Sequence, residues 1–106
     1  MIALIEDNRE EIVALCEHYR VQSLAVFGSA ANGTFDPATS DLDFVVDLGG
    51  YERGVASRYL GLIVALEQLF DRPVDVVTIH PGTSDIFRNE LERTALSIYE
   101  HTAAAA

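Results

Sequence analysis

Residues 24–48 read LAVFGSAANGTFDPATSDLDFVVDL and contain the clearest strand signals of the chain. The first four of these residues are apolar and predict a short strand that ends at Gly28. A polar turn follows, and residues 41–48 then predict a second strand in which apolar and acidic residues alternate. One face of that strand is expected to enter a core with Leu42, Phe44, Val46 and Leu48. The other face would carry Asp41, Asp43, Val45 and Asp47.

Two acidic residues on that second face are the strongest chemical signal. Asp41 and Asp43 are separated by one residue, so on a strand they share a face with Cα atoms about 6–7 Å apart. Two carboxylates so close repel each other and favour a cation between them. Because the ligands are all oxygen, Mg²⁺ is the natural candidate. A third carboxylate, Asp75, begins the next predicted strand, at residues 74–79. The plain alternative is a solvated D-x-D pair at a strand edge, since so short a motif also arises by chance.

The pair Gly28–Ser29 lies where a ligand could meet the backbone. A glycine at a strand end permits close approach, and a serine beginning a helical turn offers a hydroxyl beside free N–H groups. Such a place suits phosphate, although a plain turn with a capping serine is the competing interpretation. The segment is not a P-loop, because the chain has no lysine. The run from Asp41 is not an EF-hand loop, because Val45 occupies a ligand position.

Helical patterns surround these strands. Residues 7–20 and 55–70 have apolar residues at helical spacing, and Asn8 with Glu11 resembles a capping box for the first helix. Ser84 is the expected N-cap of a last helix. The apolar stripe expected on that helix consists of Phe87, Leu91, Ala95 and Ile98. The predicted order is α-β-α-β-α-β-α, in the mixed α and β (α+β) class, with a small sheet of three strands flanked by helices.

Composition limits the classes of function. The 106 residues suit one domain, expected over residues 1–100, with residues 101–106 as a disordered tail. The net charge of −10 disfavours nucleic acid and anionic membranes as partners. A single cysteine, Cys16, excludes an internal disulfide, and its position on an apolar stripe predicts a buried, inert thiol. With no apolar run near 20 residues and no leader pattern, the chain is expected to be cytoplasmic.

At these residues the chain resembles the DNA polymerase β-type nucleotidyltransferase superfamily, and most closely its stand-alone minimal nucleotidyltransferases (MNT proteins). The resemblance rests on Gly28–Ser29, eleven intervening residues, Asp41-Leu42-Asp43, and Asp75 in a later short strand. It spans nearly the whole chain and implies a mixed sheet. It also implies two Mg²⁺ ions held by Asp41, Asp43 and Asp75 as the catalytic and metal-binding residues.

The resemblance further implies a reaction and a partner. Gly28 and Ser29 would hold the triphosphate of ATP. Many MNT proteins are antitoxins that transfer AMP from ATP to a tyrosine hydroxyl of a HEPN-domain ribonuclease, so a HEPN toxin is the expected partner. Two other functions remain open. One is an antitoxin that acts by contact alone, and the other is a regulatory subunit that binds the nucleotide without transferring it.

The chain departs from the family pattern at Asn32, where the family usually has arginine. Arg53 or Arg58 could replace that cation, although solvated helix surface is the simpler expectation for both. Two further residues invite a functional interpretation. His80 is expected to cap a strand end, and Asp47 is expected to be a solvated strand-end charge, rather than either lining the site.

Overall fold

The sheet is mixed, as expected, but it has four strands rather than three. In the computed structural model, the strands are β1 (Ser23–Phe27), β2 (Leu42–Asp47), β3 (Val74–Thr78) and β4 (Leu96–Glu100). Their order across the sheet is β3-β2-β1-β4. β1 pairs antiparallel with both β2 and β4, whereas β2 and β3 run parallel. The mixed α and β class is therefore confirmed.

The structure describes residues 2–32, 36, 41–49, 53–79 and 83–101. Of the predicted tail, residues 101–106, only His101 lies within these ranges, and its backbone N–H donates to the Gln22 carbonyl at 2.8 Å. The helices are α1 (Ala3–Glu6), α2 (Arg9–His18), α3 (Ser29–Asn32), α4 (Val55–Phe70) and α5 (Asp85–Thr94). Within the described ranges, none of these helices has the length and apolar character that crossing a membrane requires.

The fourth strand corrects the prediction of a last helix running to Ile98. Ser84 does cap α5, accepting a hydrogen bond from the Phe87 N–H at 3.2 Å. The helix nevertheless ends at Thr94, because Ala95 has an extended backbone with φ −78° and ψ 148°. From Leu96 the chain pairs with the edge of β1, which would otherwise leave backbone N–H and C=O groups without strand partners.

The first predicted helix is present and is about two residues shorter at each end. Within residues 7–20, α2 runs from Arg9 to His18, and the separate one-turn helix α1 precedes it. The expected capping box is absent. The Asn8 side chain makes no cap hydrogen bond and instead donates from Nδ2 to the Leu4 carbonyl at 2.9 Å. The side chain thus satisfies a carbonyl near the end of α1 rather than an N–H at the start of α2.

One face of the sheet, here called the helix-covered face, packs against α2 and α4. The side chains of β2 predicted to point inward are buried there, and Phe44 stacks on Phe70 of α4 with ring centroids 6.1 Å apart. The buried residues that share this core include Ile12, Cys16, Leu24, Val26, Leu42, Val46, Leu62 and Leu66. The alternation of β2 therefore predicts its buried face correctly.

Cys16 is fully buried in this core, as expected, and burial raises the pKa of its thiol to about 12. The reactive thiolate is therefore almost absent at neutral pH. We expect no labelling by a thiol reagent such as iodoacetamide in buffer at pH 8, and stoichiometric labelling after unfolding in guanidinium chloride. Rapid labelling of the folded protein would contradict the buried position.

Arg58 links the end of α2 to the end of β2 through hydrogen bonds. It is therefore neither a replacement for the missing family arginine nor simply solvated helix surface, the two roles considered from sequence. Its guanidinium donates to the backbone carbonyls of Tyr19 at 2.9 Å, Arg20 at 2.6 Å and Leu48 at 3.1 Å. The carbonyls at the end of a helix lack partners inside the helix, so an arginine can satisfy them.

Arg58→Met should therefore lower the free energy of unfolding by about 2 kcal/mol, because charge-assisted hydrogen bonds are lost while the aliphatic stem remains. Urea titration measures this. The control is Arg93→Met, since Arg93 is exposed and bonds only to the nearby Glu90 among the contacts described. Its loss should change stability by less than about 0.5 kcal/mol. Equal effects of the two substitutions would argue against the anchoring role.

Candidate active site

The predicted acidic residues meet where β1 ends and where β2 and β3 begin. In the strand register, Asp43 lies opposite Phe27 of β1 on one side and opposite Asp75 of β3 on the other. Registered neighbours point to the same face of a sheet, and their strands are about 4.8 Å apart. Asp41 stands two residues before Asp43, just ahead of β2. The face that carries Asp43 and Asp75, here called the carboxylate face, lies opposite the helix-covered face.

Gly28 touches the central carboxylate directly. It follows β1 with φ +67°, and a Cβ atom added to it would lie 2.7 Å from Oδ2 of Asp43. This position therefore requires glycine for its backbone angle and for the space that the carboxylate occupies. Ser29 follows directly as the first residue of α3 and is half-buried. The structure thus brings the predicted Gly28–Ser29 pair to the same end of the sheet as the carboxylates.

Asp43 is the electrostatic centre of this group. Its pKa is raised above the ordinary value, first by burial and then by the nearby charges of Asp75 and Asp41. Asp43 is half-buried, whereas Asp41 and Asp75 are exposed. An isolated arrangement of this kind is unfavourable, because ionised Asp43 is partly desolvated and lies beside two like charges. A bound cation would relieve both effects.

The carboxylate oxygens at this site suit a cation that is also bound by water and substrate phosphates. Among the residues the structure describes, no three acidic, histidine or cysteine side chains are arranged so that they could hold a metal ion by themselves. Mg²⁺ commonly takes only one or two carboxylates from a protein and fills its other positions with water and substrate phosphates. The all-oxygen group of Asp41, Asp43 and Asp75 therefore fits Mg²⁺ bound together with a nucleotide, rather than a permanently enclosed ion.

Helix α5 covers the part of the carboxylate face that lies away from Asp41 and Asp75. Leu91 of α5 is buried and lines a groove of about 270 Å³ together with Ala25 of β1 and Val45 of β2. This contact explains why Val45 is buried although it belongs to the face predicted to be polar. Asp41 and Asp75 remain exposed at the opposite end, so the carboxylates are accessible to a substrate.

Several residues considered from sequence lie elsewhere. Asp47 is opposite Ser23 at the far end of β2, where its Oδ1 accepts the Gly49 N–H at 2.8 Å. Arg58 is engaged on the side of α2, and Arg53 is exposed before α4. His80 lies outside the described residues, as does the side chain of Asn32.

Phe27 belongs to the site but was not predicted to do so. It is half-buried and directly opposite Asp43, with its ring on the carboxylate face. An apolar neighbour lowers the local polarity around a carboxylate, which disfavours its charged form. The sequence does show a bulky apolar residue directly before Gly28, and its side chain had to lie on one face of the sheet or the other. Only the antiparallel register of β1 and β2 shows that it lies on the carboxylate face.

The family model described as "Nucleotidyltransferase domain" matches residues 9–102 of the chain. Two proteins of Methanocaldococcus jannaschii, provisionally named protein adenylyltransferases, are each 38% identical to it over 64 residues. Each match covers 60% of this chain. It covers 63% of the first relative's length and 71% of the second's.

Solved structures show the same fold. One, described as a minimal nucleotidyltransferase, is 30% identical and has a TM-score of 0.69, with 87% of this chain and 90% of that chain covered. A toxin–antitoxin structure with AMP-PNP is 21% identical with a TM-score of 0.69, covering 92% of this chain and 77% of the other. A third contains a tri-AMPylated HEPN toxin of Shewanella oneidensis with an MNT antitoxin. It matches with a TM-score of 0.63 and 17% identity, over 91% of this chain and 72% of that one. The chain belongs to the nucleotidyltransferase domain family, as the resemblance implied, and is similar to its minimal members.

Proposed function

We propose that this protein is a Mg²⁺-dependent nucleotidyltransferase. It transfers AMP from ATP to a hydroxyl of a partner protein, a tyrosine of a HEPN toxin, and thereby acts as the antitoxin. The observation that carries the proposal is the position of Asp43 between Asp41 and Asp75, in contact with Gly28 at one end of the sheet. The reaction belongs to the cytoplasm, where ATP is available.

Each residue then has a part in the chemistry. Asp41, Asp43 and Asp75 would hold two Mg²⁺ ions, which supply Lewis-acid stabilisation of the charge on the phosphate oxygens. Gly28 leaves space for the backbone to approach the triphosphate, and Ser29 offers its hydroxyl there. The acceptor oxygen forms a bond to the α-phosphorus, the bond to the β-phosphate oxygen breaks, and pyrophosphate leaves. The proton of the acceptor passes to the exposed carboxylate of Asp75.

The carboxylate face is exposed at the end of the sheet that carries Asp41 and Asp75, which favours a protein as the acceptor of AMP. Asp41 and Asp75 are exposed, so a hydroxyl presented by another chain can reach them. The support from relatives is of two kinds. Two sequence relatives carry protein adenylyltransferase in their provisional names, and one structural neighbour contains an AMPylated HEPN toxin beside its MNT antitoxin.

The test is to incubate the protein with Mg²⁺ and the protein encoded by the adjoining gene, the proposed HEPN partner. One sample receives ATP labelled at the α-phosphate and the other receives ATP labelled at the γ-phosphate. AMP transfer places the α label on the partner and releases the γ label in pyrophosphate. Label from the γ position on the partner would show phosphoryl transfer instead. Absence of both labels, with nucleotide bound, would contradict the enzymatic proposal.

A second candidate is an antitoxin that acts by contact alone. It is favoured by Asn32, which stands where the family usually has arginine, and by the engagement of Arg58 with backbone carbonyls away from the carboxylates. Without the arginine cation, the protein would bind the triphosphate more weakly. This candidate predicts a complex that neutralises the toxin equally well with and without ATP, whereas the enzymatic proposal predicts protection that requires ATP and persists on the modified toxin.

A further inference from the structure

A groove runs between α2 and α4 on the outer side of the helical layer. Tyr19, at the end of α2, lies against Gly61, where an added Cβ atom would come within 2.6 Å of its ring. The start of α2 lies beside the end of α4, so the two helices are antiparallel. The groove has a volume of about 480 Å³ and is lined by Glu11, Ala14, Leu15, Ala65, Gln68 and Leu69.

The α4 side of the groove carries no charge, since Ala65 and Leu69 are apolar and Gln68 is neutral. Outside the residues that line the groove, α4 also exposes Leu60 and Val64, which are one helical turn apart and are 60% and 52% exposed. The charged residues of α4 are Arg58 and Glu67, and both bind backbone groups. Arg58 binds three carbonyls, and Glu67 accepts the Val74 N–H at 3.2 Å. An uncharged exposed face is unexpected in a chain with a net charge of −10, and exposed apolar patches commonly mark interaction sites.

The α2 side of the groove carries a negative charge. Glu11 is exposed and lines the groove beside Ala14 and Leu15. The docking surface, defined as the groove together with Leu60 and Val64, therefore has an uncharged, largely apolar side on α4 and the negative charge of Glu11 on α2. A second copy of this chain is a poor occupant, because it would bring its own acidic α2 and a further net charge of −10.

We propose that this surface binds an amphipathic helix of the partner protein, with an apolar stripe on α4 and lysine or arginine residues along the edge that faces α2. An apolar helix face in a groove is a common mode of peptide recognition, and opposite charges at the rim fix its orientation. The inference rests on the proposed function for the identity of the partner, the HEPN toxin.

The position of the surface separates docking from chemistry. α2 and α4 cover the helix-covered face, whereas Asp43 and Asp75 lie on the carboxylate face. The docking helix and the acceptor hydroxyl of the partner are therefore different segments. Damage to the docking surface should weaken capture of the partner and leave nucleotide binding intact.

The test is Val64→Glu, with Ile86→Glu as the matched control. Ile86 lies on α5 and is 84% exposed, so it receives the same change from apolar to acidic away from the groove. Calorimetry with the purified HEPN protein should give a Kd raised about tenfold or more for Val64→Glu and unchanged for Ile86→Glu, because a charge placed against an apolar stripe loses solvation. Glu11→Lys should also weaken binding. The Kd for ATP–Mg²⁺ should be the same in all these proteins.

The outcomes separate this inference from the proposed function. If AMP transfer is absent but Val64→Glu still weakens the complex, the docking surface stands and the enzymatic proposal fails. If transfer occurs and Val64→Glu leaves both the Kd and the KM for the partner unchanged, the docking surface is wrong and the function stands. Equal weakening of the complex by Ile86→Glu would also overturn the docking surface. A dimer of this protein alone, seen by light scattering and dissociated by Val64→Glu, would overturn the proposal as well, because the occupant would then be a second copy.

Discussion

Asp43→Asn should reduce AMP transfer by about 10²–10³-fold, because it removes the central carboxylate of the proposed metal-binding group while keeping the size and shape of the side chain. The same substitution should raise the free energy of unfolding at pH 7 in the absence of metal. Burial, Asp75 and Asp41 all oppose the charged form of Asp43 and so raise its pKa, whereas asparagine carries no charge.

The pH dependence of this stability gain has a defined sign. The pKa of Asp43 is higher in the folded protein than in the unfolded chain, so the folded state loses stability as the pH rises through the two values. The advantage of Asp43→Asn should therefore be present at pH 7 and vanish below about pH 4, where the wild-type carboxyl is protonated in both states. Urea titrations in EDTA at several pH values measure it.

Asp47→Asn is the matched control for that substitution. Asp47 lies on the same strand and face, but at the opposite end, where its side-chain oxygen accepts the Gly49 N–H. Asparagine keeps that acceptor, so both transfer and fold should be preserved. A loss of transfer in Asp47→Asn comparable to that in Asp43→Asn would mean that general charge, rather than the group around Asp43, governs the reaction.

Gly28→Ala should cause the second large loss of activity. The new Cβ atom would lie 2.7 Å from Oδ2 of Asp43, so the carboxylate must move. Displacement of a catalytic group by about 1 Å can reduce the rate by about 10²-fold. The left-handed backbone at φ +67° should in addition lower the free energy of unfolding by about 1–2 kcal/mol.

Gly54→Ala separates these two effects. Gly54 has φ +92°, but an added Cβ atom would meet nothing within 4 Å among the described residues. Its substitution introduces similar backbone strain without touching the carboxylates. We expect a comparable loss of stability in urea titration and unchanged transfer kinetics. If Gly28→Ala retains full transfer, the close contact between Gly28 and Asp43 has no catalytic importance.

The sequence predicted the centre of the fold because its signals there are local. The alternation from Leu42 to Leu48 determines which face of β2 is buried, and the glycine at position 28 marks the end of β1. The apolar spacing in α4 likewise gives both its bounds and its buried side. These patterns depend on neighbouring residues along one element, which a sequence displays directly.

The errors concern features that depend on pairing between distant segments. Ile98 suits a helical stripe as well as a strand, and only the open edge of β1 makes the strand favourable. Phe27 reaches the site through its register with Asp43, which no spacing along the chain reveals. Arg58 similarly binds carbonyls about 10 and 38 residues away, so its anchoring role follows from the packing of α4 against α2.

AMP transfer by the carboxylates around Asp43 to a partner protein is tested most directly by intact mass. The protein encoded by the adjoining gene is weighed by mass spectrometry after incubation with this protein, ATP and Mg²⁺. We predict a mass increase equal to one or more AMP groups, present with the wild-type protein and with Asp47→Asn, and absent with Asp43→Asn. An unmodified partner in a stable complex with the wild-type protein, or equal modification by Asp43→Asn, would contradict the account.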